Sequence, residues 1–164
     1  MSFQAQVEFL AQRVERPVYY ASSAGRNAAH QIDQPMNRTW VEVEDARGRV
    51  DGAEPEFGMH PCGCDLLEFP TQVDNFLDAQ AIQSVYESEV EAFLKSVTGC
   101  YRVHIFDHTV RASDPGLREQ MQVREPAQLV HNDYTSNSGF VCLRENLGDE
   151  AEGLARERFQ ILTS

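Results

Sequence analysis

Leu129-Val130-His131-Asn132-Asp133-Tyr134 is the stretch whose reading decides this chain. Apolar residues lead into it and the polar tetrad Ser136-Asn137-Ser138-Gly139 follows, so the pattern predicts a strand over 129–134 ended by a turn. On an extended backbone the period of two places the imidazole of His131 and the carboxylate of Asp133 on one face and Asn132 on the other. One nitrogen donor and one oxygen donor then stand about 7 Å apart at the backbone, close enough to converge on a single ion. Iron(II) in oxygenases is held by two His and one carboxylate, an arrangement that leaves three positions open. A His-x-Asp pair on a strand also occurs as a structural pair, and the motif alone does not choose between the two.

Working outward, Tyr101 to Val110 alternates as a strand, with Val103, Ile105 and Asp107 on one side and His104, Phe106 and His108 on the other. A charged connection over 111–124, interrupted by Asp114-Pro115-Gly116, joins it to the quoted stretch. Upstream, the spacing predicts a helix that starts at Asn75 or Asp78 and stops at Thr98-Gly99. Ile82, Val85, Tyr86, Val90, Phe93, Leu94 and Val97 form its apolar stripe, and Glu87, Glu89, Glu91 and Lys95 face away. Earlier still come the apolar run Val7 to Leu10, extended chain at Arg16-Pro17-Val18-Tyr19-Tyr20, and a Ser-, Ala- and Asn-rich loop over 21–39. Trp40 to Glu44 is then a strand closed by the turn Asp45-Ala46-Arg47-Gly48, and Gly and Pro break the chain from Val50 to Cys64 before an extended piece, Asp65 to Pro70. Downstream, Asp149 to Arg158 reads as a short amphipathic helix with Ala151, Leu154 and Ala155 inward, and Phe159-Gln160-Ile161-Leu162 as a further strand. The element pattern is α+β.

With 164 residues, 41% of them hydrophobic, the chain has the size and composition of one globular domain. Its net charge of -12 argues against nucleic acid and against anionic lipid, which both select for Lys and Arg. No stretch approaches the roughly 18 apolar residues of a membrane helix. Met1 to Gln6 has neither a basic cluster nor an apolar core, so no secretory signal is read and the expected location is cytoplasmic. Of four cysteines, Cys62 and Cys64 lie in His60-Pro61-Cys62-Gly63-Cys64, but Cys-x-Cys is not the usual zinc spacing and Cys100 and Cys142 stand alone. Free thiols are the better reading.

A wider pattern surrounds the His-x-Asp pair. Asp74-Asn75-Phe76, Tyr86-Glu87-Ser88-Glu89, Thr98-Gly99, Arg102-Val103, Phe106-Asp107-His108-Thr109-Val110-Arg111 and Arg124-Glu125-Pro126 precede Val130 to Thr135 in order. Asp149-Glu150-Ala151-Glu152 and Arg158-Phe159 follow it, and Asp45 to Gly48 fits the early region. In this order and spacing, over most of residues 40–160, the chain resembles a fungal and bacterial hydroxylase/desaturase family of non-haem iron, 2-oxoglutarate-type oxygenases. That family includes gibberellin-desaturase-like enzymes and the smaller subunit of cephamycin 7-methoxylation.

The resemblance implies a double-stranded β-helix (jelly-roll), Fe(II) and 2-oxoglutarate, and oxidation of a small organic substrate of secondary metabolism. It assigns His131 and Asp133 as two iron ligands. In that family a distal His supplies the third, and no histidine follows Asp133 in this sequence. The expectation is therefore a single domain over 1–164, a partial jelly-roll with flanking helices that lacks the family's C-terminal half. His60, His104 and His108 lie before the pair, where a jelly-roll does not place the third ligand, and His108 reads as a hydrogen-bonded histidine at a strand end. Arg111 and Arg124 have the planar fork that grips a carboxylate, or serve in surface ion pairs. Arg124, Tyr134 and Thr135 are the candidate pocket residues. Two further readings stand beside the oxygenase: a catalytically inactive truncated homologue or partner subunit, which completes its sheet in a homo- or hetero-oligomer, and a metal-free small-molecule binding module.

Overall fold

The computed structural model describes residues 2–11, 19–20, 31–32, 35–48, 63–127 and 129–163. Residues 16–18, most of the loop expected over 21–39, and the Gly- and Pro-broken stretch with His60 and Cys62 lie outside the described residues. The chain divides into two compact units, Met1–Gln128 and Leu129–Ser164.

In the first unit, β1 (Ser2–Leu10) pairs antiparallel with β4 (Met36–Glu44), and β2 (Tyr19–Tyr20) pairs with β3 (Gln31–Ile32). The register sets Ala5 opposite Val41 and Val7 opposite Thr39. Thr39, Val41 and Val43 are half-buried while Arg38, Trp40 and Glu42 are exposed, the alternation that the sequence shows at 40–44. The strand starts four residues earlier than the sequence predicts, inside the expected loop. Met36 to Thr39 carry too little apolar pattern to announce a strand. The ladder to Val7–Leu10 and the ion pair between Arg38 and Glu8 supply what the pattern lacks. At the far end a short 3-10 turn, Ala46–Gly48, forms under Asp45. The Arg47 guanidinium donates through Nε to Asp45 Oδ1 at 2.8 Å and through Nη2 to Oδ2 at 2.9 Å.

The predicted helix is present, with one irregularity. Asp78 caps it, its Oδ1 accepting from the amides of Gln80 (2.9 Å) and Ala81 (3.2 Å). A turn of α-helix, α1 (Ala79–Ala81), runs into a π-helical turn, Ile82–Tyr86, and then into α2 (Glu87–Thr98). Gly99, at φ 71°, ends it in the left-handed conformation with its N–H on the Lys95 carbonyl. Ile82 is buried, and Val85, Tyr86, Val90, Phe93 and Leu94 are half-buried, but Val97 is exposed, so the stripe stops a turn early. Phe69 packs on Phe93 and on Tyr86 with centroids 4.8 and 5.8 Å apart, and Phe76 meets Tyr86 edge-on at 5.2 Å. The extended piece over 65–70 therefore covers the helix with an aromatic ring and is not a laddered strand.

Two carboxylates expected to face solvent are half-buried and carry partners. Glu89 accepts from the Thr71 hydroxyl at 2.6 Å and from the Gln72 amide at 3.1 Å, and Glu87 lies 3.1 Å from His108 Nε2. Both tie later or earlier chain to the helix, which no periodicity reveals.

Residues 101–110 keep the alternation, with Val103 and Ile105 half-buried and His104 and Phe106 exposed, but they form no strand among the described elements, and Asp107 is exposed. Alternation predicts a face and needs a partner to become a ladder. One isolated parallel bridge, Arg111 to Arg124, closes the following connection, with the Ala112 amide 2.9 Å from the Arg124 carbonyl. Inside it, Asp114-Pro115-Gly116 starts a helix instead of breaking one: Asp114 Oδ1 accepts from the Leu117 amide at 2.6 Å and Pro115 opens α3 (Pro115–Met121).

In the second unit the correction is larger. The expected turn over 136–139 is the first turn of a twelve-residue helix, α4 (Ser136–Leu147), followed by a 3-10 turn, Gly148–Glu150, and α5 (Ala151–Leu154). The predicted helix over 149–158 thus survives as this shorter piece, with Ala151 buried. Phe159 to Leu162 form no strand among the described elements. They pack across α4 instead: Phe159 meets Phe140 edge-on at 5.2 Å, and Ile161 Cδ1 sits 3.6 Å from where a Cβ on buried Gly139 would stand.

Four apolar side chains are buried among the described residues: Val73 and Ile82 in the first unit, Cys142 and Ala151 in the second. Trp40, Phe3 and Tyr101 remain more than 60% exposed. The mixture of β-ribbons and helices fits the α+β class.

Two outcomes follow from local geometry. Nothing stands within 4 Å of a Cβ at Gly99, so Gly99→Ala carries only the left-handed backbone cost, about 1 kcal/mol, and urea melts of the variant should show that loss. The paired hydrogen bonds from Arg47 hold the Asp45 carboxyl below its ordinary value, and the same contact raises the Arg47 guanidinium. The carboxylate contact is thus complete above the ordinary Asp range and is lost as pH falls through the lowered midpoint. A carboxyl-detected NMR titration should give Asp45 that low midpoint, and Arg47→Met should raise it toward the ordinary value, the residue-47 amide keeping its bond to Oδ1.

Candidate metal centre

The segment 129–134 belongs to none of the four strands, yet its chain brings the predicted pair together. His131 Nε2 lies 3.2 Å from Asp133 Oδ1, with both side chains about half exposed. The other ring nitrogen, Nδ1, stands 2.8 Å from the Leu129 carbonyl. A carbonyl only accepts, so Nδ1 carries a proton; Nε2 donates to the carboxylate when the ring is protonated and carries the free lone pair when it is neutral.

Two acceptors at this separation call for a cation between them, either a proton or a metal ion. Octahedral ions with bonds of about 2.1 Å place neighbouring donors about 3.0 Å apart. The observed 3.2 Å matches one edge of such an octahedron. The donor set, one imidazole nitrogen and one carboxylate oxygen, suits iron(II), and the residues present therefore fit two corners of an iron site. Among the described residues no group of three or more His, Cys, Asp or Glu gathers to complete one.

The remaining candidates fall in several places. Tyr134 is half-buried beside the pair. Thr135 is the N-cap of α4, its hydroxyl accepting from the Ser138 amide at 3.2 Å. Arg124 lies in the first unit, exposed, with its backbone in the bridge to Arg111. Arg111 donates through Nη1 to the Glu125 carbonyl at 2.8 Å. His108 has the structural role read from sequence, paired with Glu87, and His104 is exposed. Sequence reasoning missed the Leu129 carbonyl, which is a backbone group, and the capping box of α4. The second had a faint signal, Thr-x-x-Ser, in which serine stands where Glu or Gln is usual.

The hydrogen bond to Leu129 fixes one tautomer. In long-range ¹⁵N–¹H spectra recorded at pH 8.5 without metal, neutral His131 should show a protonated Nδ1 and an unprotonated Nε2; the opposite pattern would remove Nε2 as the ligating atom.

A family model described as an oxidoreductase/YMDC permease-like domain matches residues 7–163. Among curated proteins, the alpha-ketoglutarate-dependent dioxygenase phiK of a fungal species (strain ATCC 74256) is 27% identical over 128 residues, covering 76% of this chain and 44% of that protein. The oxidoreductase AN1597 of Emericella nidulans is 25% identical over 113 residues, covering 65% of this chain and 38% of its own length. Among solved structures, the iron and alpha-ketoglutarate-dependent endoperoxidase NvfI superposes with a TM-score of 0.69 at 22% identity, over 94% of this chain and 55% of that one. The chain thus spans about half the length of the relatives it matches. Since the family model runs through nearly all of it, the chain belongs to the oxidoreductase/YMDC permease-like domain family, and it is similar to these iron- and alpha-ketoglutarate-dependent proteins.

Proposed function

We propose that this chain supplies the His131–Asp133 part of a non-haem Fe(II), 2-oxoglutarate-dependent oxygenase site that oxidises a small organic substrate of secondary metabolism. The observation that carries the reading is the tautomer-locked imidazole with its Nε2 3.2 Å from the Asp133 carboxylate. The names of the relatives support it, one an alpha-ketoglutarate-dependent dioxygenase and the other an oxidoreductase. His131 and Asp133 would hold the metal, and Tyr134, Thr135 and Arg124 remain the pocket residues proposed from sequence. Bound iron would activate dioxygen, the oxidant, with the 2-oxo acid as the electron-donating co-substrate, and the protein's part is ligands, orientation and a shaped, dry pocket. His131 contributes a neutral nitrogen with no proton to lose, because its one proton is committed to Leu129. Asp133 contributes a negative charge that offsets part of the ion's own.

We place the fold as part of a double-stranded β-helix with flanking helices, over one domain spanning 1–164, as the solved relative supports. A partner-subunit role is a second reading, favoured by the exposure of Phe3, Trp40, Val130, Phe140 and Val141 beside only a few buried side chains among the described residues. Either way the proposed location is cytoplasmic. Among the described residues no helix is long and apolar enough to cross a membrane.

Anaerobic titration with Fe(II), followed by difference absorbance on adding 2-oxoglutarate, tests the site. Saturable binding that disappears in His131→Ala and in Asp133→Asn is the expected result. Binding that survives both substitutions would place the metal elsewhere.

A further inference from the structure

We infer that Thr135 and Ser138 are positioning residues for Asp133, a reading that rests on His131 and Asp133 being metal ligands. Thr135 is gripped from several sides. Its amide donates to Ser138 Oγ at 2.8 Å, its hydroxyl accepts from the Ser138 amide at 3.2 Å, and its carbonyl accepts from the Gly139 amide at 2.9 Å. This reciprocal capping box fixes the backbone of residue 135 in an extended conformation, φ -99° and ψ 170°, before α4 begins. Only Tyr134 separates it from Asp133, so the direction in which the chain leaves the carboxylate is set by the box.

The box is in turn held by the packed face of its helix. Gly139 and Cys142 are the buried residues of α4, and Ile161 lies against Gly139. The other side of the pair is anchored independently, where His131 Nδ1 donates to Leu129. The donor pair is therefore bracketed, by a backbone carbonyl two residues before His131 and by a capping box that opens two residues after Asp133. Two short, local restraints define the 3.2 Å separation of Nε2 and Oδ1 in a segment without a strand ladder. Thr135 acts through Asp133 and uses its hydroxyl on the helix, which sets this role apart from direct contact with a co-substrate.

The test uses the full 164-residue chain, labelled with ¹³C and ¹⁵N, with Mn(II) as the redox-inert probe. Thr135→Val removes the capping hydroxyl at constant shape, Thr135→Ser keeps it, and Ser138→Ala removes the hydroxyl that accepts from the Thr135 amide and contacts Thr135 Oγ1 at 3.1 Å. Arg144→Ala releases the tie from Arg144 to Glu152 at the other end of the same helix. Thr135→Val and Ser138→Ala should each raise the Mn(II) Kd about tenfold, the lower end of the loss seen for outer groups that orient a ligand. In the metal-free protein both should move the Asp133 ¹³Cγ and His131 ¹⁵Nε2 resonances. Thr135→Ser should restore wild-type values, and Arg144→Ala should leave them in place. Unmoved resonances and unchanged affinity in Thr135→Val overturn the inference, as does an equal loss in Arg144→Ala, which would mean general loosening of the helix. Should Thr135→Val not fold, Ser138→Ala decides by the same two readouts. Mn(II) binding to the wild type that does not depend on His131 overturns the metal reading, and the metal-free resonances then still judge the positioning role.

Discussion

The constraint behind this structure is how little apolar surface the described residues remove from water. Burying one large apolar side chain is worth about 1.5–3 kcal/mol, and that is the term that normally dominates folding. Here Val73, Ile82, Cys142 and Ala151 are the buried hydrophobic residues among those described, and two of these four side chains are small. Definition comes instead from hydrogen bonds at element ends. Asp78, Asp114 and Thr135 each cap a helix, Gly99 closes one, and Glu89 pins the approach to α2 through Thr71 and Gln72. Such contacts fix direction well and add modest stability, typically about 1 kcal/mol for a cap.

The same economy shapes the His131–Asp133 pair. A donor pair on a laddered strand is held by its neighbours on both sides. His131 and Asp133 have no such ladder, and their geometry comes from Leu129 on one side and the box around Thr135 on the other. Both restraints lie within a few residues of the pair. That explains how half-exposed side chains in an irregular segment still meet at a distance suited to an octahedral ion.

Charge acts locally too. Against 26 acidic residues the chain has 14 basic ones, and several of these serve as structural donors. Arg38 pairs with Glu8 across the ribbon, Arg47 with Asp45 at its end, and Arg118 donates to the Ser113 carbonyl ahead of its own helix. The net charge of -12 that argued against nucleic acid therefore coexists with arginines that read as structural in most of the places where their partners are described.

Much of the organisation could be read from residues alone, for identifiable reasons. Asp78 and Gly99 marked the ends of the long helix because capping chemistry is local, and the period of two placed His131 and Asp133 on one face because that geometry needs no partner. The order of short motifs from Asp74 to Phe159 pointed to 2-oxoglutarate-type oxygenases, and the similarity to an alpha-ketoglutarate-dependent dioxygenase supports that reading. What sequence could not supply was pairing. Alternation over 101–110 and the apolar run at 159–162 announce a face, and only tertiary structure decides whether a ladder forms; in the described residues, Phe159 and Ile161 went to α4 instead. The polar tetrad 136–139 is the sharpest case. Ser, Asn and Gly favour turns and helix starts alike, and the choice rests on whether Thr135 finds Ser138 and Gly139 finds a packed face. By itself the sequence determined which side chains could bind a metal; the tertiary structure decided how they are held, because the holding groups are a backbone carbonyl and a cap whose roles exist only once the chain has folded around them.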